Sequence, residues 1–537
     1  MTEKRSFFTL LFAFLCMSTS ATELSLSELE ARGAIIGSIE IRRNNVFDEP
    51  KEGEVRRLQQ LANKLHYLTR ENVIRSQLLF ASGEPLSKAS IDESTRILRN
   101  RRYLFDATVT PTRFANGVVD LVVTTRDLWT LSPEVDYSST GGDTFYRLGV
   151  EDDNVLGTGA SLTLSRAEEL ERTSNLLLYS NNNFLLKRLD FGLGIVESDD
   201  GGAFSTRIVK PFFSLDTKTS QGVTGQYFDG NRLYFRNGDD IGEYEQRSST
   251  FNVFRGWSKG RQNGWIKRWS AGVAGERSEF SLPDDPLLAI TRPENRELYY
   301  PYISFNAIED DFVTTRNFQS IDRVEDVYLG TQYSVLIGLA HDSLGSDRTA
   351  FILTANATGS KGSPETALWQ YGASLNTRLE SGRPQNLLAN ANVRWSLRQS
   401  DKYRFLTSLS VAHSERPDLD RFTVLGGGVG LRGYPTRFRN GGGRILFTAE
   451  QRYYSNYFPF QLLHVGAAAF VDVGQVWGEN VLGETNDDLL VDAGFGLRLV
   501  SPRGGSNKVI HIDLAFPLTS REGIDSVQLV LEAKRAF

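Results

Sequence analysis

From Leu131 to the end of the chain, apolar residues fall on alternate positions, and this period of two restricts the fold more than any other feature. Val465, Ala467, Ala469, Val471 and Val473 are all apolar, while Phe470, Asp472 and Gly474 take the other face. Val491, Ala493, Phe495, Leu497 and Leu499 alternate with Asp492, Gly494, Gly496 and Arg498, and Ile510, Ile512, Leu514 and Phe516 alternate with His511 and Asp513. Ile445, Phe447 and Ala449 alternate with Leu446, Thr448 and Glu450. Such a pattern gives a strand one apolar and one polar face and gives a helix no apolar stripe. About twenty segments of this kind follow one another, separated by polar or Gly-rich turns. A soluble sandwich also alternates, but with shorter strands and fewer charges on its second face. Apolar outside and charged inside is the pattern of an antiparallel transmembrane β-barrel with a watery lumen. The chain is therefore read as mainly β, with the barrel over residues 131–537. No stretch offers about 18 consecutive apolar residues, so no spanning helix is expected. A mean hydropathy of −0.31 agrees, because the lumen face offsets the lipid face.

Lys4 and Arg5 precede an apolar run from Phe7 to Met17, and Thr19-Ser20-Ala21 follows. Residues 1–21 read as a signal peptide, with cleavage after Ala21. The protein is then exported. Cys16 is the sole cysteine among 537 residues and lies in this leader, so the processed chain has no disulfide and no cysteine metal site. A net charge of −6 gives nucleic acid no basic surface.

Residues 33–130 carry a different periodicity. Ile35 to Ile41 reads as a strand, and Glu52 to Leu65 as a helix. Thr69 is placed to cap a second helix, and Ser90 with Glu93 to form the capping box of a third. Arg99, Arg101 and Arg102 load the end of that third helix, where the dipole favours cations, and read as a solvated helix end. Asp106 to Arg113 and Val118 to Thr125 are strands joined by a hairpin at Ala115-Asn116-Gly117. The order strand, helices, strand, strand describes one small α+β domain.

Between those regions and the C-terminus lies Leu425-Gly426-Gly427-Gly428-Val429-Gly430-Leu431-Arg432-Gly433-Tyr434-Pro435. This many glycines oppose a regular strand and allow a tight loop. The loop, around residues 425–440, is expected to fold into the lumen and to pair Arg432 with Asp472 and Glu450, which share the polar face by parity. Charged stretches from Asp229 to Gln246 and from Ser281 to Glu297 read as outer loops. Asp152-Asp153-Asn154 and Gln399-Ser400-Asp401-Lys402 read as periplasmic turns. The last segment, Val527 to Phe537, ends on an aromatic of its apolar face, as a strand at the membrane interface would.

Three motifs invite other readings. Gly256-Trp257-Ser258-Lys259-Gly260 matches the hydrolase G-x-S-x-G pattern but lacks the strand-elbow-helix setting. Gly428 to Gly433 matches G-x-G-x-x-G with no helix after it. His341-Asp342-Ser343 is adjacent in sequence, which does not make a triad. The histidines at 66, 341, 413, 464 and 511 have no metal-ligand spacing. No catalytic residue, cofactor or metal is expected.

The module resembles a POTRA domain of the BamA/TamA superfamily of outer-membrane assembly and translocation proteins. The stretches that carry the resemblance are Gly83-Glu84-Pro85-Leu86, Ile91, Leu98, Tyr103-Leu104-Phe105-Asp106 and Val118 to Val123. In the barrel, Leu431-Arg432-Gly433-Tyr434 resembles the family's loop motif, and Phe470-Val471-Asp472-Val473-Gly474 its aromatic-x-Asp-x-Gly strand. Gly494-Phe495-Gly496-Leu497-Arg498 with Ser501-Pro502-Arg503-Gly504 resembles the strand and turn that follow. Asp153 to Gly159 resembles an early periplasmic turn, and Phe537 the terminal barrel signal. The resemblance implies a sixteen-strand barrel, four fewer than the segments counted, and an outer-membrane location with the module in the periplasm. It implies that Arg432 meets Asp472, with Glu450 as second partner. It further implies outer-membrane lipid, accessory lipoproteins and unfolded outer-membrane or secreted polypeptides as partners, with no enzyme activity. The chain has room for one POTRA-like domain, whereas the essential assembly members carry several. An insertion factor with a seam between its first strand, near Leu131 to Tyr137, and its last is the leading reading. A two-partner-type secretion pore for one exported protein is the alternative, and an outer-membrane hydrolase a third.

Overall fold

The structure is a computed structural model of the chain. It describes residues 25–47, 60–61, 63–140, 143–169, 171–282, 292–316, 318, 324–455, 457, 459, 464–480, 483–485, 487–500, 508–519 and 524–535. The leader, most of the Glu52–Leu65 segment, Ser501 to Gly504 and Phe537 lie outside the described residues.

The N-terminal module is a three-stranded sheet in the order β1 (Ile35–Asn44), β3 (Val118–Asp127), β2 (Leu104–Ala115), with β1 parallel and β2 antiparallel to the central β3. Helices α1 (Leu26–Ala31), α2 (Glu71–Arg75) and α3 (Lys88–Arg99) accompany it. Its core joins Ile36, Val119, Leu121 and Val123 of the sheet to Ile74, Ile91 and Leu98 of the helices, all almost fully buried. Asn116 and Gly117 take φ of 53° and 78°, the left-handed pair that a two-residue hairpin requires. This is the small α+β domain of strand, helices, strand and strand that the periodicity describes.

Two local expectations need correction. The cap of α3 is Ser87, which accepts from the Ser90 N–H, so Ser90 and Glu93 lie inside the helix. Both serines are plausible caps by composition; packing of Ile91 and Leu98 chooses the register. Thr69 caps nothing: its N–H and hydroxyl both bind Asp127, at 2.7 and 2.8 Å.

The barrel strands on the first half of the wall are β4 (Leu131–Thr140), β5 (Asp143–Asp152), β6 (Ser161–Glu168), β7 (Thr173–Phe184), β8 (Leu189–Ser198), β9 (Gly201–Lys210), β10 (Thr219–Arg236), β11 (Asp239–Gln262), β12 (Trp265–Ser281) and β13 (Arg296–Glu309). A small hairpin, β14 (Phe312–Arg316) with β15 (Val324–Tyr328), then intervenes. The wall resumes with β16 (Thr331–Ala340), β17 (Ala350–Gly362), β18 (Ala367–Glu380), β19 (Arg383–Arg398) and β20 (Tyr403–Glu415). A short inner pair, β21 (Thr423–Leu425) and β22 (Arg439–Gly441), belongs to the lumen loop. The wall ends with β23 (Gly443–Tyr454), β24 (His464–Trp477), β25 (Leu490–Val500), β26 (Lys508–Pro517) and β27 (Gln528–Arg535). Twenty strands close into one barrel, β27 meeting β4. That equals the number of alternating segments and replaces the sixteen implied by resemblance.

Apolar side chains on the outer face stand exposed, Leu148, Val273, Ile303, Phe495, Leu497 and Leu529 among them. Water would penalise that surface and lipid would not. Aromatic pairs gather near the turns that face the module: Trp269 with Phe305, Trp369 with Trp395, and Tyr403 with Tyr453. No described helix is long and apolar enough to cross a membrane.

The module is docked on the barrel. Asn154 donates to the Thr69 hydroxyl at 2.8 Å, and the Arg70 N–H donates to the Gly157 carbonyl at 2.9 Å, which places the turn after β5 on the start of α2. Glu93 of α3 accepts from the Leu215 N–H at 2.6 Å and pairs with Arg261. The basic end of α3 is not a solvated cap. Arg102 reaches Glu151 and Asp153, both at 3.2 Å, and Arg99 reaches Asp106 at 3.2 Å and Asp326 at 3.6 Å. The sequence shows the cations but not the carboxylates that the barrel turns bring to them.

On the opposite rim, Asp229 to Gln246 is not a loop. It is laddered throughout as β10 and β11, with Asn237-Gly238 at the tip. Asp229 pairs across the ladder with Arg247 at 3.2 Å, whereas Arg232 reaches Glu171 at 3.2 Å and Arg236 reaches Glu484 at 2.6 Å, on other elements. Most of Ser281 to Glu297 lies outside the described residues.

Candidate functional site in the barrel lumen

Residues 416–442 connect β20 to β23 and fold into the lumen. The loop's centre is Arg432, 6% exposed. Its Nε and Nη2 donate to the two oxygens of Asp472, at 2.7 and 3.0 Å, and its Nη1 donates to Glu450 at 2.9 Å and Asp513 at 3.3 Å. The guanidinium also lies over the Phe470 ring, 3.3 Å from its centroid. A planar fork satisfies a carboxylate with two parallel bonds and still has a nitrogen for the next. Register explains the assembly. Thr448 pairs with Asp472, Asp472 with Asp492 and Gly496 with Asp513, so the inward positions of β23 to β26 converge on one patch of wall.

The carboxylates have further cations. Arg498 donates to Glu450 at 3.1 Å and also pairs with Asp513, and Arg452 donates to Glu450 at 2.6 Å. Arg432, Arg452 and Arg498 thus face Glu450, Asp472 and Asp513 in a buried, alternating network. Such a network is tolerable only while each charge keeps its partners.

The motif glycines are explained by contact. A Cβ on Gly494 would lie 2.4 Å from the Phe470 ring, and one on Gly496 would lie 2.0 Å from the Asp513 carboxylate. Their bare backbone is the floor on which the ring and the carboxylate rest. Gly433 approaches Asp492 closely enough that its N–H donates to that carboxylate at 2.8 Å, and a Cβ there would meet the Asp492 Cβ at 2.5 Å. Gly474 lies beneath Leu425 and Leu431. Tyr434 is fully buried, its hydroxyl 3.0 Å from the Val491 carbonyl and 3.2 Å from that of Thr519. Leu425, Leu431, Tyr434, Phe438, Leu446, Val476 and Leu490 form an apolar cluster beside the charges, excluding water from them.

The β10–β11 tip touches the loop from above: a Cβ on Gly238 would meet Pro435 at 2.9 Å, and Asn440 donates to the Phe235 carbonyl at 2.8 Å. Arg437 lies 4.4 Å over Phe235 and pairs with Glu171 at 2.7 Å.

Residues 367–533, which hold this loop and all its partner strands, match the Omp85 superfamily domain. The chain carries an Omp85 superfamily domain. Three solved structures resemble it along most of its length. BamA from Haemophilus ducreyi lacking POTRA domains 1-3 has 15% identity, covering 92% of this chain and 84% of that one, with a TM-score of 0.41. CdiB from Acinetobacter baumannii has 13% identity, 93% and 73% coverage, and a TM-score of 0.47. CdiB from Escherichia coli has 13% identity, 94% and 76% coverage, and a TM-score of 0.50, which shows the fold. No curated protein matches the sequence. The chain with this domain is an outer-membrane β-barrel.

Within the Omp85 domain, the structure brings Leu431, Arg432, Gly433, Tyr434, Glu450, Phe470, Asp472, Gly474, Gly494, Gly496 and Arg498 together. Sequence reading passed over three members of the site, Asp492, Asp513 and Arg452. The first two were visible as inward positions of their strands, and parity was the available signal. The other motifs stand apart. Ser258 sits on β11, its hydroxyl donating to the Lys267 carbonyl at 3.0 Å. His341 meets both Ser343 and Asp342 through the same Nδ1, at 2.9 and 2.6 Å, on an exposed loop. A relay needs two ring nitrogens. Among the described residues, no cluster could hold a metal ion.

Proposed function

We propose that this protein is an outer-membrane insertion factor that receives unfolded exported polypeptides at the edge of its periplasmic sheet and templates them at the seam between β4 and β27. The observation that carries the reading is the Omp85 domain spanning the lumen loop and the seam strand β27. Strand lengths support it. β27 and β4, with 8 and 10 residues, are among the shorter strands of the wall, where β10 and β11 have 18 and 24. An edge released there presents unpaired N–H and C=O groups to an incoming strand. Exchange of one set of strand bonds for another needs no catalytic side chain and no fuel. Outer-membrane lipid would face the released edge, and accessory lipoproteins are proposed partners on the periplasmic side.

Cysteines on β4 and β27, for instance at Val135 and Leu529 or their neighbours, test the reading. Locking a crosslinking pair should abolish client assembly while the barrel stays folded. Full client assembly by the locked protein would remove lateral opening as the mechanism. The secretion-pore alternative draws on barrel size, because the diameter grows with strand number. For that reading, the locked protein should still export its partner.

A further inference from the structure

The lumen loop is fastened a second time, with the charges exchanged between loop and wall. Its upstream arm, residues 416–422, leaves β20 and meets β12, β13 and β18. Asp420 accepts from both terminal nitrogens of Arg296, at 2.9 and 2.8 Å, and Asp418 accepts from both of Arg378, at 2.7 and 2.8 Å. Arg296 is 2% exposed and Arg378 7%. Arg421 of the arm donates to Glu276 of β12 at 2.9 Å, and Phe422 packs on Tyr234, Tyr244 and Phe280. The Asn386 N–H donates to the Arg416 carbonyl at 2.8 Å. Counting from β4, β13 and β18, which hold Arg296 and Arg378, are tenth and thirteenth in the ring, whereas β23, β24 and β26, which hold Glu450, Asp472 and Asp513, are sixteenth, seventeenth and nineteenth. The two fastenings therefore lie on separate arcs of the wall. On one arc Asp418 and Asp420 supply carboxylates to wall arginines, with Arg421 on Glu276 beside them; on the other Arg432 supplies a guanidinium to wall carboxylates.

We infer that Arg296 and Arg378 are positioning residues for the lumen loop: with Asp420 and Asp418 they form a second clamp, and the loop leaves the lumen only when both clamps open. Two bidentate, buried pairs anchor the arm independently of Arg432, so breaking either clamp frees only half of the loop. Reversed polarity at Asp418 and Asp420 also stops these two residues from exchanging anchors with Arg432, because carboxylates would then meet carboxylates. The inference concerns the barrel itself and holds for either client reading.

Conductance of the purified full chain in planar bilayers tests it, with Asp418→Asn/Asp420→Asn, Arg432→Ala and the combined variant compared. Either clamp broken alone should give brief openings. The combined variant should open at least about tenfold more often than either, since each buried pair lost is a strongly unfavourable change. Arg296→Lys/Arg378→Lys keeps the charges without the forks and should fall between the unaltered chain and the Asn pair, which a purely packing role for these side chains would not produce. If Asp418→Asn/Asp420→Asn fails to give a heat-modifiable barrel, Arg378→Gln alone and with Arg432→Ala decides. The inference is overturned if the folded upstream-arm variant conducts like the unaltered chain, or if it adds nothing to Arg432→Ala.

Discussion

Arg432 occupies a position where charge and shape both matter. Its removal would leave Asp472, Glu450 and Asp513 buried with Arg452 and Arg498 as their remaining cations, and Asp472 would lose both bonds of the fork. Breaking one partner of a buried pair typically costs about 3–5 kcal/mol. Arg432→Ala should therefore expose the 426–433 segment to protease in intact cells. Asp472→Asn should cause much of the same defect, and the double variant should be less than additive because one interaction is lost twice. Lys at 432 should rescue only in part, having no fork. Fully additive effects with a protected loop would show that other contacts hold it. A separate outcome is expected at Gly494. Gly494→Ala places a methyl inside the contact radius of Phe470, an overpacking cost of about 1–3 kcal/mol, and should lower the temperature of heat-modified migration. Gly225→Ala, where a Cβ meets nothing closer than 3.7 Å, is the comparison of equal chemistry.

At the scale of elements, α3 joins the module to the barrel. Glu93 is buried against the turns after β9 and β11, where Arg261 also binds Asp216 at 2.6 Å and Asp310 at 2.7 Å. Glu93→Ala should cost about 1–3 kcal/mol, the penalty of leaving buried donors without an acceptor. Because Arg261 keeps two carboxylates, the barrel itself should hold. The expected result is faster hydrogen exchange along α3 with unchanged heat modifiability; unchanged exchange would mean that Arg99 and Arg102 suffice for docking. Much at this scale was legible in the sequence. Period two located the wall strands, and parity put Asp472 and Glu450 on inward faces, because a strand's faces follow from counting residues; their pairing with Arg432 rested on the loop motif and the family it resembles. Parity cannot say which strands stand opposite across a lumen, so Asp418 and Asp420 gave no sign of Arg378 and Arg296. Nor can it separate Ser87 from Ser90 as a cap, since both precede the same apolar residues by helical spacing. The β10–β11 stretch reads as a loop because charge alone does not separate a laddered strand from a solvated one, and Arg232 and Arg236 pair with residues far along the chain.

For the whole molecule, twenty strands in a closed ring with an apolar exterior predict fractionation with outer membranes and a folded form that migrates differently from the boiled one in gels. Recovery in the soluble periplasm after mild lysis would contradict the barrel. The join between β27 and β4 has a consequence for how this chain itself reaches its fold. Every other neighbouring pair in the wall is a hairpin or the two sides of one connection, and can form soon after both its strands emerge. The last pair unites opposite ends of the barrel sequence, so its closure must wait until all the other strands have been delivered, and contacts so distant along a chain are slow to form. On the proposed function, a chain that offers a strand template to unfinished sheets would itself begin as an unfinished sheet, its two edges open until the last strand arrives.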